Sequence, residues 1–354
     1  MGGYLMVNNK LLVSMTVASL ALLAASPAKA QNTADTSPAP ASSPLPMPQM
    51  AGPLGLDTTP FSFDAGVLNK IYVSGVAPAM VMAQHHASPG DKSFRADVTN
   101  AQIFVQNTEG PVQFFLQAGA YELPALGTPY LRTTKTVDST YGYIPQAYIK
   151  YAPTNDFSIM AGKLPTLIGN EYTFTFQNMN IQRGLLWNQE NAVNRGIQAN
   201  YSTGPFSFAL SLNDGFYSNH YSWVTGLATY SIDSNNAVAF SGGGNFDESA
   251  RSSFVTPLAQ NNSQIYNLMY THTDGNWTIN PYLQYTYVPE NAGIGIAASA
   301  STYGAALLTK YTFDQNYSLA GRVEYIDSTG GATAPNLLYG QGSRAWSLTV
   351  TPTY

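Results

Sequence analysis

The dominant repeat in this chain is two residues long. Trp277, Ile279, Pro281, Leu283, Tyr285 and Tyr287 stand on one parity, and Thr278, Asn280, Tyr282, Gln284 and Thr286 on the other. A helix would need apolar residues every three to four positions, so strict alternation predicts a strand with one apolar and one polar face. The pattern recurs. Tyr303, Ala305, Leu307, Thr309, Tyr311 and Phe313 alternate with Gly304, Ala306, Leu308, Lys310 and Thr312. Tyr317, Leu319, Gly321, Val323 and Tyr325 alternate with Ser318, Ala320, Arg322, Glu324 and Ile326. Phe206–Asn213 and Val112–Tyr121 read the same way.

Short turn signals join these strands in pairs: Asn107–Pro111, Ala152–Asp156, Ser202–Pro205, Asp233–Asn236, Thr273–Asn276 and Phe313–Asn316. Each carries Gly, Pro, Asn or Asp, residues that accept tight turns. Longer irregular segments separate the hairpins. Short turns at one end and long loops at the other predict an all-β fold, a transmembrane antiparallel up-and-down β-barrel. Six turns and seven loops give about 14 strands. Twelve or sixteen stay open, because Val67–Val105 and Ser222–Phe246 lack a clear period. Residues 61–354 leave roughly 21 residues per strand and connection, enough for strands of about 9–11 residues.

Charged residues are 10% of the chain, against roughly 25% in an average soluble domain. With 12% aromatics and a net charge of −5, disorder is excluded. Lys+Arg at 15 against Asp+Glu at 20, with no basic block, gives no footprint for nucleic acid. Cys is 0, which removes disulfides, thiol catalysis and thiolate metal sites.

The single long apolar run, Leu11–Ala25, follows Lys10 and is shorter than the roughly 20 residues that span a bilayer. Ala28-Lys29-Ala30 then forms an A-x-A site, so residues 1–30 read as a cleaved secretory signal peptide, with Met6 an alternative start. Residues 31–60 are rich in Pro, Ala and Ser and read as an extended tether. The barrel is expected over 61–354.

Two features turn the apolar face toward lipid. Lys150, Lys310, Arg322 and Glu324 all fall on the polar parity. Tyr151, Tyr201, Trp277, Tyr287, Tyr311, Tyr317 and Tyr325 gather at the ends of apolar stripes, as interfacial aromatic girdles do. Trp346, Leu348, Val350, Pro352 and Tyr354 share one parity at the C-terminus, like the final strand of outer-membrane barrels, which ends in an aromatic residue and serves the barrel assembly machinery as a signal. Pro352 is unusual there, since proline belongs at strand edges and ends.

Residues 163–195 carry the most unusual sequence, KLPTLIGNEYTFTFQNMNIQRGLLWNQENAVNR, read as one long loop on the outer side. The segments Ala161-Gly-Lys-Leu164, Ile168-Gly-Asn-Glu171, Gly196-Ile-Gln-Ala-Asn-Tyr201 and Ser211-Leu-Asn-Asp-Gly215 resemble the OmpL-like, porin-2 type family of outer-membrane β-barrel porins. The resemblance covers the body from about residue 60 and implies an outer-membrane pore, without a defined substrate or binding residues. An inward fold of the loop would narrow the lumen. Facing carboxylates and guanidinium groups would then select solutes by charge and dipole. Candidate lining residues are Glu171, Arg183, Glu190, Arg195 and Lys163, with Lys310, Arg322 and Glu324 on the wall. The same charges would equally serve to pin the loop. Phe174, Phe176 and Trp187 suit either a sugar-stacking slide or an anchor against the wall.

Catalytic signatures are sparse. His85-His86 point to opposite faces and make a poor metal pair. His220 with Asp214 is the one tempting acid–base pair, and no nucleophile motif accompanies it. No cofactor and no metal is expected, and the chain is read as no enzyme. The leading reading is a water-filled channel for passive diffusion of small polar solutes across the outer membrane, its partners being the lipid bilayer, the solutes and the assembly machinery, with its oligomeric state open. The alternatives are an outer-membrane barrel that anchors a surface-loop enzyme or adhesin, and a soluble secreted sandwich.

Overall fold

The computed structural model describes residues 60–88, 90–329 and 342–354. The predicted signal peptide, and all of the tether except Pro60, lie outside the described residues. The strands are β1 Phe61–Asp64, β2 Lys70–Val76, β3 Ala79–Ala83, β4 Phe94–Val98, β5 Asn100–Asn107, β6 Val112–Tyr121, β7 Gln146–Tyr151, β8 Phe157–Pro165 and β9 Val193–Thr203. They continue as β10 Phe206–Asn213, β11 Trp223–Ser231, β12 Asn236–Asn245, β13 Gln264–Asp274, β14 Trp277–Val288, β15 Ala300–Thr312, β16 Ser318–Ser328 and β17 Arg344–Thr353. A short helix, α1, covers Thr133–Ser139.

Fifteen strands form one antiparallel up-and-down sheet in the order β1-β2-β5-β6 and then sequentially to β17. Fourteen of them have six or more residues, and β1 is a four-residue addition. The predicted number therefore describes the long strands. The extra strand comes from a seventh turn at Ala65–Asn69, which closes through a short 3-10 turn and Asn69 at φ 57°. It lies in the stretch where the period is faint. There β3 and β4 form a separate hairpin outside the sheet. Among the described residues no ladder joins β1 to β17.

The alternation translates directly into two faces. Leu283 is 56% exposed, whereas the next residue, Gln284, is 4% exposed. Across the ladders, Leu268 pairs with Leu283, Pro281 with Leu307, Leu307 with Val323, and Val323 with Leu348, which makes a continuous apolar belt on the outside. Aromatic pairs bound it on both sides. At the turn end, ring centroids lie 4.7 Å apart for Trp277–Tyr311 and 4.9 Å for Tyr317–Tyr354. At the loop end they lie 5.1 Å apart for Tyr285–Tyr303 and 4.6 Å for Tyr325–Trp346. Trp277 and Tyr285 are separated along β14 by roughly 26 Å at the usual strand rise. At the roughly 35–45° strand tilt of outer-membrane barrels that is about 20 Å along the membrane normal, which fits inside their lipid-facing band of about 25 Å. Pro352 sits next to the end of β17, an edge strand in the ladder order, where a missing N–H costs no pairing. Gly242 in β12 lets the Tyr266 ring lie against the backbone, a close approach that a side chain there would block.

The sheet curls around the segment between β8 and β9. Phe176 of that segment packs on Phe104 of β5 with centroids 6.0 Å apart. From the other end of the ladder order, Thr351 Oγ1 of β17 donates to Asn180 Oδ1 at 2.9 Å. One loop thus touches strands near both ends of the sheet.

Candidate functional site

The inner loop is residues 166–192, shorter at both ends than the sequence suggests. Lys163 belongs to β8 and Arg195 to β9, where they stand directly opposite one another in the ladder. Side chains in the loop are buried almost throughout, which few loops of this length achieve. Two kinds of contact hold it inside.

Toward β5 and β6 the contact is aromatic. Phe174, Phe176 and Trp187 join Phe104, Phe115 and Tyr121 in one buried cluster. Phe174 meets Tyr121 edge-on at 5.3 Å and stacks near Phe176 at 6.1 Å. These rings therefore act as wall anchors rather than as a free stacking surface.

Toward β14–β17 the contact is ionic. Arg322 projects inward from β16 and is fully buried. Its Nη1 donates to Glu171 Oε1 at 2.5 Å and to the Gln182 carbonyl at 2.8 Å, and its Nη2 to Thr349 Oγ1 at 3.2 Å. Its Nε lies 3.1 Å from Glu324 Oε2. Glu324 in turn accepts from the loop backbone, from Leu185 N at 3.0 Å and Leu186 N at 3.3 Å, and from Ser347 Oγ at 2.6 Å. Glu171 Oε2 accepts from Gly184 N at 2.7 Å. Both carboxylates thus bind one cation and the donors of one tight bend, a geometry in which a buried charge pair is compensated. The bend needs Gly184, because a Cβ there would overlap the Glu324 carboxylate.

Glu190 closes the same wall. Its Oε1 accepts from Gln284 Nε2 of β14 at 2.7 Å, and burial pushes its carboxyl well above the ordinary range. Arg183 is fully buried, with its guanidinium 4.7 Å from the centre of the Trp187 ring. Its backbone N–H donates to the Pro124 carbonyl at 3.0 Å, and its carbonyl accepts from Leu126 N at 2.9 Å. The segment after β6 is thereby stitched to the loop. Glu122 starts that segment. Burial, and then the nearby Asp97 charge, push its carboxyl up to about 8, opposed by Arg183 and Arg95.

Five of the predicted residues, Glu171, Arg183, Glu190, Arg322 and Glu324, thus meet in the lumen. The other three lie elsewhere. Lys163 and Arg195 sit on the outward parity at the loop rim. Lys163 Nζ donates to the Tyr141 and Ile144 carbonyls at 3.1 and 2.8 Å. Arg195 Nε donates to Asp214 Oδ2 at 2.7 Å, and its guanidinium lies 3.9 Å from the centre of the Tyr217 ring. Lys310 faces inward near the opposite, turn-side end of β15. Gln284, Ser347 and Thr349 escaped the sequence reading, because a neutral polar residue on the inward parity looks alike whether it faces water or a loop. His220 Nε2 meets Asp247 Oδ2 at 3.2 Å, while Asp214 is held by Arg195, so the tempting catalytic pair does not form. His85 and His86 are exposed, and among the described residues no cluster suited to a metal ion occurs.

A family model described as "Putative beta-barrel porin-2, OmpL-like" matches residues 70–354, nearly the whole described body. The chain belongs to this porin family. No curated protein sequence matches significantly. Among solved structures, the outer membrane channel DcaP of Acinetobacter baumannii aligns over 82% of this chain and 87% of its own, at 10% identity and a TM-score of 0.51. OmpT of Vibrio cholerae lacking loop L8 aligns over 80% and 88%, at 10% identity and a TM-score of 0.40. The anion-selective porin from Comamonas acidovorans aligns over 80% and 97%, at 11% identity and a TM-score of 0.37. The likeness to DcaP concerns the fold alone. Together with the family it makes this porin an outer-membrane β-barrel channel for small solutes.

Proposed function

We propose that the protein is a passive diffusion channel for small polar solutes whose passage is sized by the inward loop 166–192. The observation that carries this reading is the double anchorage of the loop, through Glu171, Arg322 and Glu324 on one wall and Phe174 and Phe176 on the other. Glu171, Arg183, Glu190, Arg322 and Glu324 act chiefly by fixing the loop, and so shape the opening that remains. Lys163 and Arg195 brace the rim through the Tyr217 ring and Asp214. Residues 1–30 direct export and are removed, residues 31–60 form the tether, and the aromatic final strand is recognised by the assembly machinery.

Liposome swelling with sugars of increasing size tests the reading. Wild-type protein should pass small sugars and exclude larger ones, and removal of the loop between Leu167 and Ala192 should raise the cut-off. Equal cut-offs for the two proteins would refute a sizing role for the loop.

A further inference from the structure

Among the described residues two arginines are fully buried, and their surroundings differ. Arg322 is held by two carboxylates, a carbonyl and a hydroxyl. Arg183 is held through its backbone and by the Trp187 ring, and none of its three guanidinium nitrogens has a hydrogen-bond partner. Groups around it are unmet as well. Both carboxyl oxygens of Glu122, both polar atoms of the Asn100 amide and Gln102 Nε2 are buried without a partner. Buried polar groups are almost always paired, and a buried charge without partners is strongly unfavourable.

These atoms belong to one place at the loop end of the lumen. Asn100 opens β5 opposite Tyr121, the last residue of β6, and Gln102 lies two positions along the same inward face. Glu122 follows Tyr121, and its N–H donates to the Thr99 carbonyl at 2.8 Å. Arg183 enters from the inner loop, its backbone bridged to Ala125. The β3–β4 hairpin covers the group from the outer side. Its Met82 Sδ accepts from Gln182 Nε2, beside Arg183, at 3.6 Å, and the Asp97 and Arg95 charges of β4 act on Glu122. The hairpin pairs with no strand of the main sheet.

The nearby carboxylates are engaged elsewhere. Glu171 has one oxygen on Arg322 and the other on Gly184 N. Asp91 pairs with Arg95, and Asp97 accepts from Tyr130 OH at 3.2 Å beside Arg132. Burial holds the Glu122 carboxyl up at about 8, so at neutral pH it is a neutral O–H donor. We infer that Arg183, Asn100 and Glu122 form a binding site for a small carboxylate, on the outer side of the loop and beneath the β3–β4 hairpin. The guanidinium is a planar fork that matches two carboxylate oxygens, and the Trp187 ring behind it fixes its plane. The Asn100 and Gln102 amides add N–H donors. All these atoms are closed off from solvent, so the ligand enters when the hairpin lifts. A neutral solute of the same shape would leave the Arg183 charge unanswered. The site's part in solute passage rests on the channel reading, whereas its occupancy does not.

The experiment is a fluorescence titration of the full-length mature protein in detergent at neutral pH, with acetate as the probe and acetamide as its neutral isostere. The Trp187 indole, 4.7 Å from the guanidinium, reports occupancy. Acetate should give a saturable change with a dissociation constant on the order of millimolar, and acetamide none. Arg183→Gln should weaken acetate by about 30-fold or more, the usual loss when one partner of a buried charge pair is removed. Asn100→Asp, which sets a carboxylate against the ligand and leaves the loop residues untouched, should weaken it as much. Glu122→Gln keeps a donor and should bind nearly as the wild type does. A wild-type response that does not saturate by about 100 mM, equal responses to acetate and acetamide, or affinity unchanged in Asn100→Asp overturns the site. Conductance in planar bilayers, read on the same preparation, separates the two inferences. A protein that conducts without binding acetate loses the site alone, and one that binds acetate without conducting loses the channel reading alone.

Discussion

Replacing Glu324 with alanine removes three accepted hydrogen bonds, from Leu185 N, Leu186 N and Ser347 Oγ, together with the ion-pair contact to Arg322 Nε. Hydrogen bonds to a charged group contribute about 1.5–3 kcal/mol each. They do not add, because Arg322 keeps Glu171 and water enters the gap. Breaking a buried pair from one side costs about 3–5 kcal/mol, and that range applies here. It corresponds to a shift of roughly 150- to 5000-fold in the docked-to-undocked ratio of the loop. Arg183 lies in the loop and is fully buried, so trypsin should cleave after it only when the loop leaves the lumen. Wild-type protein in detergent should resist cleavage at Arg183–Gly184. Glu324→Ala should be cut there within the same exposure, and its single-channel current should become larger and noisier. The urea midpoint, read separately, distinguishes loop release from unfolding of the sheet. Glu324→Gln keeps one carbonyl acceptor and should fall between the two. Equal trypsin resistance and equal conductance in Glu324→Ala and wild type would refute the anchoring role.

Gly184→Ala should reproduce the Glu324→Ala behaviour in the same cleavage assay, because the added Cβ displaces the carboxylate from the bend. Leu283→Arg places a charge on the lipid face and should cost about 2–4 kcal/mol of folding stability in a lipid vesicle titration; a cost below 1 kcal/mol would contradict the assigned outer face. Glu122 holds its proton up to about pH 8 when folded but releases it near the ordinary value of 4.5 when unfolded. The unfolded state therefore loses that proton first, and stability should decline as pH rises between those values, by at most on the order of 4 kcal/mol. Glu122→Gln should remove this slope from urea midpoints measured between pH 5 and pH 9, and an unchanged slope would count against the buried carboxyl.

The period-two pattern carried the strands because each residue's face decides its solvent, whatever the partner strand. Phe206–Asn213 emerges as β10 with the bounds read from the sequence. Val67–Val105 resisted because β2, the β3–β4 hairpin and β5 do not all share one sheet, so no single parity rule runs through them. Charges were informative in the strands and misleading at the ends of the loop. Arg322 and Glu324 lie inward as their parity requires. Lys163 and Arg195 seemed to belong with them only through nearness in sequence, while the ladder turns them outward. Nothing in the sequence ties Glu171 to Arg322, 151 positions away. That pairing exists because the rolled sheet brings β16 to the loop.

The two anchorages of the loop differ in what they fix. The aromatic contact with β5 and β6 is non-directional, and its strength follows the apolar area removed from water. It resists withdrawal of the loop but tolerates sliding along the wall. The ionic contact with β16 is directional: the backbone N–H groups of Leu185 and Leu186 meet Glu324 of β16, and that of Gly184 meets Glu171, the loop carboxylate that Arg322 of β16 holds. A shift of one residue would leave those donors and the Arg322 charge unsatisfied in a buried place. The aromatic side therefore holds the loop in the lumen, and the ionic side sets its register and hence the size of the opening. Weakening the rings, for example through Phe176→Ala, should release the loop without altering the register of the docked fraction, whereas Glu324→Ala should release the loop and also leave the docked fraction out of register.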